Sequence, residues 1–164
     1  MKRIVYKIYF ILMICSILLS CKNKVEGINP NKIEFNNKVY SYLKKDLNAN
    51  VDKNQMFIIL TTYSCSGCTK TAVNYLKKSI KKQNKISLIA VGDTKKETLN
   101  LVETLGDRYQ IYYDFKGITF DKLNLHSNAV IEIQNKKDLI FYTFGVNENI
   151  ELMLTTIDKY LDEN

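Results

Sequence analysis

The chain has 164 residues, 46% of them hydrophobic, with a formal net charge of +7, one proline and four cysteines. That length supports one domain with a proper core, and no repeat or low-complexity segment suggests anything larger. Three of the basic residues, Lys2, Arg3 and Lys7, belong to a leading segment; without them the charge is +4, too mild and too dispersed to specify nucleic acid as a partner.

Residues 1–20 pattern as a targeting segment. Lys2, Arg3 and Lys7 make a basic start and Ile8 to Leu19 an apolar core, which is too short to span a bilayer and has the length of a signal-peptide core. It ends in Leu18-Leu19-Ser20-Cys21, which resembles a bacterial lipobox, with cleavage before Cys21. That resemblance implies lipid on Cys21, and at about 0.8 kcal/mol per buried CH2 two or three acyl chains hold a protein stably on a membrane. Ile14 before Cys15 makes the earlier cysteine a poorer match. An ordinary secreted protein and an uncleaved signal anchor are the alternatives. Residues 21–32 pattern as a polar tether, and 33–164 as the folded domain.

Within that domain, residues 33–35 pattern as a short strand. Asn36 or Asn37 is placed to cap a helix over 38–47 that turns Val39, Tyr42, Leu43 and Leu47 inward. Asn48 to Asn54 is a loop. Met56-Phe57-Ile58-Ile59-Leu60-Thr61 is an apolar run too short for a helix, hence a buried strand. The polar turn Thr62-Tyr63-Ser64-Cys65-Ser66-Gly67-Cys68 follows. An amphipathic helix then carries Ala72, Val73, Leu76 and Ile80 on one face and fades at Asn84. Lys77, Lys78, Lys81, Lys82 and Lys85 suit a solvated helix end with favourable charge.

Ile86 to Val91 is apolar throughout, as in a parallel sheet covered on both faces. Gly92-Asp93-Thr94 leads into a helix near 95–105 with Leu99, Val102 and Leu105 inward, stopped by Gly106. Residues 109–115 pattern as a short strand and 120–125 as a helical turn. Tyr109, Tyr112, Tyr113 and Phe115, among eleven tyrosines and seven phenylalanines, fit half-buried sheet packing. Asn135-Lys136-Lys137-Asp138 joins strands 128–134 and 139–144 as a hairpin. The last helix, 147–161, carries the stripe Ile150, Met153, Leu154, Ile157, Tyr160 and Leu161. The order predicts an α/β domain with a central mixed sheet flanked by helices on both faces.

The chemistry concentrates at Cys65 and Cys68, since Cys15 and Cys21 belong to the targeting segment. A helix start leaves backbone N–H groups unpaired and carries partial positive charge, which stabilises a thiolate and lowers its pKa. Cys65 is therefore the expected exposed nucleophile. Cys68, one turn in, is the expected resolving thiol, with Gly67 easing the approach of the two sulfurs and Lys70 adding positive charge nearby. In an exported protein the pair persists as a disulfide unless something reduces it. The scheme needs a protein thiol or disulfide substrate and a redox partner, and no cofactor.

Strand, Cys-x-x-Cys and helix in that order resemble the thioredoxin-like fold over residues 33–164, and within it the membrane-tethered TlpA-like and AhpC/TSA-related branch. Supporting details are the insert before the hairpin and the run Asp138-Leu-Ile-Phe-Tyr-Thr-Phe-Gly145. The resemblance implies a lipid-anchored thiol–disulfide oxidoreductase of the cell envelope, with Tyr63, Ser64, Ser127 and Asn128 facing the substrate. The family places a cis-proline at the start of the hairpin, where it helps seat substrate peptides and keeps metal ions off the thiols. Here Asn128 holds that place, and a trans peptide is expected because a non-proline cis bond costs about 2.5–4 kcal/mol. Ile59 stands where thioredoxins carry a buried acid. Thr71 stands where TlpA-like proteins often carry a glutamate, and Ser64 replaces the usual aromatic before the motif.

Three other readings follow from resemblances. A Sco-like copper protein would use Cys65, Cys68 and His126, although three residues separate the cysteines in that family. A peroxidase would use Thr62-x-x-Cys65, but Ile58 stands where the peroxiredoxin motif has proline and the supporting arginine is not evident, Arg108 being the only one in the domain. A non-catalytic lipoprotein would keep Cys65–Cys68 as a purely structural disulfide.

Overall fold

The computed structural model describes residues 30–51, 55–78, 85–135, 138–144 and 150–163. Residues 1–29, which hold the expected targeting segment, Cys15, Cys21 and most of the expected tether, lie outside them. Residues Ile33–Asn164 form one compact unit. Among the described residues no helix is long and apolar enough to cross a membrane.

Helix α1, Pro30–Ser41, opens on proline, whose fixed φ suits a first helical position, and runs into one π turn, Tyr42–Asp46. Residues 33–35, expected as a strand, are helical. The reason is periodicity: Phe35, Val39, Tyr42 and Leu43 recur at helical spacing, and this face packs on the sheet. Asn36 and Asn37 therefore lie inside the helix and cap nothing. Strand β1, Gln55–Thr61, is buried from Met56 onward. It leads through the cysteine turn into α2, Ser66–Lys78, then β2, Ile86–Val91, and α3, Lys95–Val102.

Thr94 caps α3 by accepting the N–H of Glu97. A 3-10 segment, Glu103–Arg108, follows, broken at Gly106, whose φ of 58° and ψ of −152° leave the helical region. Leu99, expected inward, is exposed. Thr98 is buried in its place beside Gly92, where an added Cβ would stand 2.8 Å from the Thr98 hydroxyl. The narrow gap at Gly92 takes a threonine where leucine would not fit.

The insert supplies β3, Gln110–Asp114, and the short helix α4, Ile118–Leu123; β4, Asn128–Asn135, β5, Asp138–Phe144, and α5, Ile150–Glu163, complete the domain. The sheet order is β3-β2-β1-β4-β5. β1, β2 and β3 run parallel, while β4 and β5 form an antiparallel hairpin against β1. Alternate residues of β1 feed two cores, as strand geometry requires. Met56, Ile58 and Leu60 pack with α2, α5 and the end of α3; Phe57 and Ile59 pack with α1 and α4.

The aromatic residues of the insert mostly serve this packing. Tyr109 is buried and donates to the Leu76 carbonyl at 2.7 Å, and Tyr112 tilts on Phe57. Tyr113 and Phe115 stack on each other at the exposed edge.

Candidate functional site

The site forms where β1 gives way to α2. Thr62 N–H donates to the Val91 carbonyl at 3.1 Å, which ends the β1–β2 ladder, and Tyr63 N–H turns back onto the Thr61 hydroxyl at 3.1 Å. Cys65 is the residue just before α2 begins at Ser66, in the position where serine or aspartate usually caps a helix. Its carbonyl accepts from Thr69 N–H at 3.0 Å, and its sulfur accepts from Cys68 N–H at 3.4 Å. Sulfur thus takes the role of a capping oxygen and meets one of the unpaired donors of the helix start.

Cys65 and Cys68 are both half-buried free thiols, and their environments push them apart. The hydrogen bond from the Cys68 thiol, joined by the backbone N–H groups of Cys68 and Gly67, lowers the Cys65 pKa. The bond to Cys65 raises that of Cys68, helped by burial and by the negative charge Cys65 acquires. In such a pair Cys65 ionises more readily than Cys68. Iodoacetamide labelling, read cysteine by cysteine through peptide mass mapping, is expected to modify Cys65 several-fold faster than Cys68 at pH 7. Its pH midpoint should fall below the ordinary cysteine value of about 8.5. Equal labelling rates would contradict the geometry.

Gly67 is not required sterically. A Cβ there would stand 3.7 Å from the Cys65 sulfur, an ordinary contact, so the expected role in easing the sulfurs together gives way to simple tolerance. Lys70 is exposed on α2 and lines a cleft of about 450 Å³ between α2 and α3, together with Thr62, Ser64, Ser66, Val73 and Asn100. The Ser64 hydroxyl lies buried at the wall of this cleft without a hydrogen-bond partner.

Of the four residues expected to face a substrate, Tyr63 is 45% exposed, and Ser64 and Ser127 are half-buried. Asn128 is fully buried. Its Oδ1 accepts from Thr61 N–H at 2.9 Å and its Nδ2 donates to the Thr69 hydroxyl at 3.0 Å, so its side chain is directed into the fold and away from a docked chain. The β1–β4 ladder ends at Ile59 and Ala129, and the side-chain amide then takes the next free donor of β1. Among the described residues no peptide bond is cis, the 127–128 bond included.

His126 does not join the cysteines. It is exposed and stacks on Phe120 with centroids 5.4 Å apart and planes at 5°, while Tyr63 meets Phe120 edge-on at 4.5 Å. Among the described residues no three His, Cys, Asp or Glu side chains stand close enough together to hold a metal ion, so the set Cys65, Cys68 and His126 is not assembled. Arg108 donates to the Lys77 carbonyl at the far end of α2, roughly 18 Å along the helix from Cys65 by helical rise, and cannot support a peroxidatic sulfur.

Two contributors escaped the sequence reading. Phe120 is the hinge of the aromatic stack. Asp114, 2% exposed, anchors it by accepting from the N–H groups of Ile118 and Thr119 at 3.0 and 2.8 Å and from the Thr119 hydroxyl at 2.6 Å. The Asp-x-x-Gly spacing ahead of a short apolar helix was the available signal for that cap.

No family model matches the chain, and no curated protein sequence matches it. Solved structures do. A candidate protein disulfide isomerase from Bacteroides thetaiotaomicron is similar at 17% identity and TM-score 0.44, over 66% of this chain and 74% of that one. A thioredoxin-like protein from Aeropyrum pernix is similar at 18% identity and TM-score 0.44, over 69% and 81%. A thioredoxin-like protein from Bacteroides caccae is similar at 14% identity and TM-score 0.42, over 70% of this chain and 43% of that one. The sheet order, the parallel crossovers through α2 and α3 and the terminal hairpin with α5 make this an α/β domain with a central mixed sheet between helices, the arrangement the thioredoxin-like resemblance predicts. Its Cys-x-x-Cys sits at the amino end of the helix that follows the central strand.

Proposed function

We propose that the chain is a thiol–disulfide oxidoreductase acting on protein substrates through Cys65 and Cys68. The observation that carries this reading is the Cys65 sulfur at the start of α2, accepting the Cys68 N–H, with its pKa lowered while that of Cys68 is raised. In the reducing direction the Cys65 thiolate attacks one sulfur of a substrate disulfide. An S–S bond forms to Cys65, and the other substrate sulfur leaves as a thiolate that takes up a proton. Cys68 then loses its proton and attacks the Cys65 sulfur. The second substrate thiolate departs, and the pair is left as a disulfide. Two electrons pass to the substrate, and a thiol reductant must return them. Oxidation runs the same steps backwards, and the potential of the pair decides between them.

Tyr63, two residues ahead of Cys65, meets Phe120, which stacks on His126, and Ser64 and Ser66 on either side of Cys65 line the cleft. Both suit contact with residues flanking a substrate disulfide. Lipid attachment at Cys21, a cell-envelope location and membership of the TlpA-like branch belong to the same proposal and rest on the leading segment and the motif pattern. Reduction of insulin by dithiothreitol in the presence of the protein tests the activity. Acceleration is expected; no acceleration with dithiothreitol or with glutathione as donor would leave the disulfide a structural one.

A further inference from the structure

We propose that Asn128 is a positioning residue for Cys65: its side-chain amide ties the first turn of α2 to the end of β1 and so holds the backbone donors that face the Cys65 sulfur. This rests on the reading of Cys65 as the attacking sulfur. Asn128 is the first residue of β4 and is completely buried. Its carbonyl oxygen accepts Thr61 N–H, and its NH2 donates to the hydroxyl of Thr69, itself 6% exposed. Thr69 N–H in turn holds the Cys65 carbonyl at 3.0 Å, one residue after the Cys68 N–H that reaches the sulfur.

The bridge needs an acceptor and a donor on one short side chain. Aspartate lacks the donor, and serine cannot span both partners. A helix start has few hydrogen bonds of its own, so an outside tie there decides how firmly its N–H groups are aimed.

The test is a double-mutant cycle on the full chain. Asn128→Ala, Thr69→Val and the pair are compared at a temperature where circular dichroism shows each folded. Iodoacetamide labelling of Cys65 is followed against pH by peptide mapping. Each single variant is expected to move the labelling midpoint upward and to slow labelling at pH 7 roughly three- to tenfold, the pair no further than either alone, because both cut one bridge. Thr69→Ser, which keeps the hydroxyl, is expected to retain the wild-type midpoint. Should Asn128→Ala fail to fold, Thr69→Val decides alone, since it leaves the Asn128–Thr61 bond in place. A lowered melting temperature with an unmoved midpoint, or midpoint shifts that add, overturns the proposal. Labelling reads a property of the thiol, so it stays informative even if insulin is not reduced.

Discussion

Cys68→Ser is expected to trap substrate on the protein, and Cys65→Ser to bring disulfide reduction down to the uncatalysed rate. The two cysteines look equivalent in sequence, yet the structure separates them. The Cys65 sulfur caps α2 and receives the Cys68 N–H, which stabilises its thiolate. A serine hydroxyl in its place stays protonated and does not attack sulfur. Cys68 is the less readily ionised of the two, its pKa raised by the bond to Cys65 and by burial. Without it the mixed disulfide forms and is not resolved from within. Incubating each variant with an oxidised substrate protein and separating adducts on a non-reducing gel checks this. A reducible adduct should accumulate with Cys68→Ser and be absent with Cys65→Ser. The reverse pattern would exchange the roles of the two cysteines.

Asp114→Ala is expected to be the most damaging single change outside the motif, lowering stability by about 3–5 kcal/mol. Both carboxylate oxygens are fully used. Oδ1 accepts from the N–H groups of Lys116 and Ile118, and Oδ2 from the N–H and hydroxyl of Thr119; the Tyr42 hydroxyl donates to the Thr119 oxygen at 2.6 Å and stands 3.4 Å from Oδ2. Alanine leaves these donors buried with less to bond to. Burial holds the Tyr42 phenol far above its ordinary pKa, so it remains a hydroxyl and cannot compensate by ionising. Against a total of about 5–15 kcal/mol for a domain, the loss is large, and the melting temperature should fall by roughly 10–20 °C.

Asparagine at the same position is nearly isosteric and should still be destabilising, because its NH2 would face donors on one side. Thermal unfolding followed by circular dichroism measures both variants. A melting temperature within about 2 °C of wild type for Asp114→Ala would refute this account of the network. The consequence reaches the site, because Asp114 holds the first two N–H groups of α4, and α4 carries Phe120 against Tyr63.

The strands around the motif were legible because their residues leave little choice. Ile58, Ile59 and Leu60, or Leu88, Ile89 and Ala90, can be buried on both faces only in the middle of a covered sheet, and the structure places them there. The stripe of α5 was equally plain, with Met153, Ile157, Tyr160 and Leu161 buried at helical spacing. Residues 33–35 misled because three residues cannot distinguish a strand from one turn of helix; Val39 and Tyr42, further along, settle it. Leu99 and Thr98 exchanged places because hydrophobicity alone does not record the narrow gap at Gly92.

At the site, the sequence singles out Cys65 and Cys68 as the candidate pair, and the structure turns the Asn128 side chain inward where a substrate-facing one is expected. A polar residue standing in for a family proline invites a substrate-facing reading. Only the spatial meeting of Thr61, Thr69 and Asn128, drawn from three separate segments, turns it inward. Asp114 carried the same difficulty, since its partner Tyr42 is 72 residues away.

The central claim is that Cys65 and Cys68 form one reversible dithiol couple in which Cys65 meets the outside. Equilibrating the protein in glutathione buffers of graded ratio, quenching with acid and mapping each cysteine by mass spectrometry tests this directly. Cys65 and Cys68 should interconvert together between dithiol and internal disulfide, with any glutathione adduct on Cys65. A pair that stays reduced across the whole series, or adducts found on Cys68 alone, would contradict it.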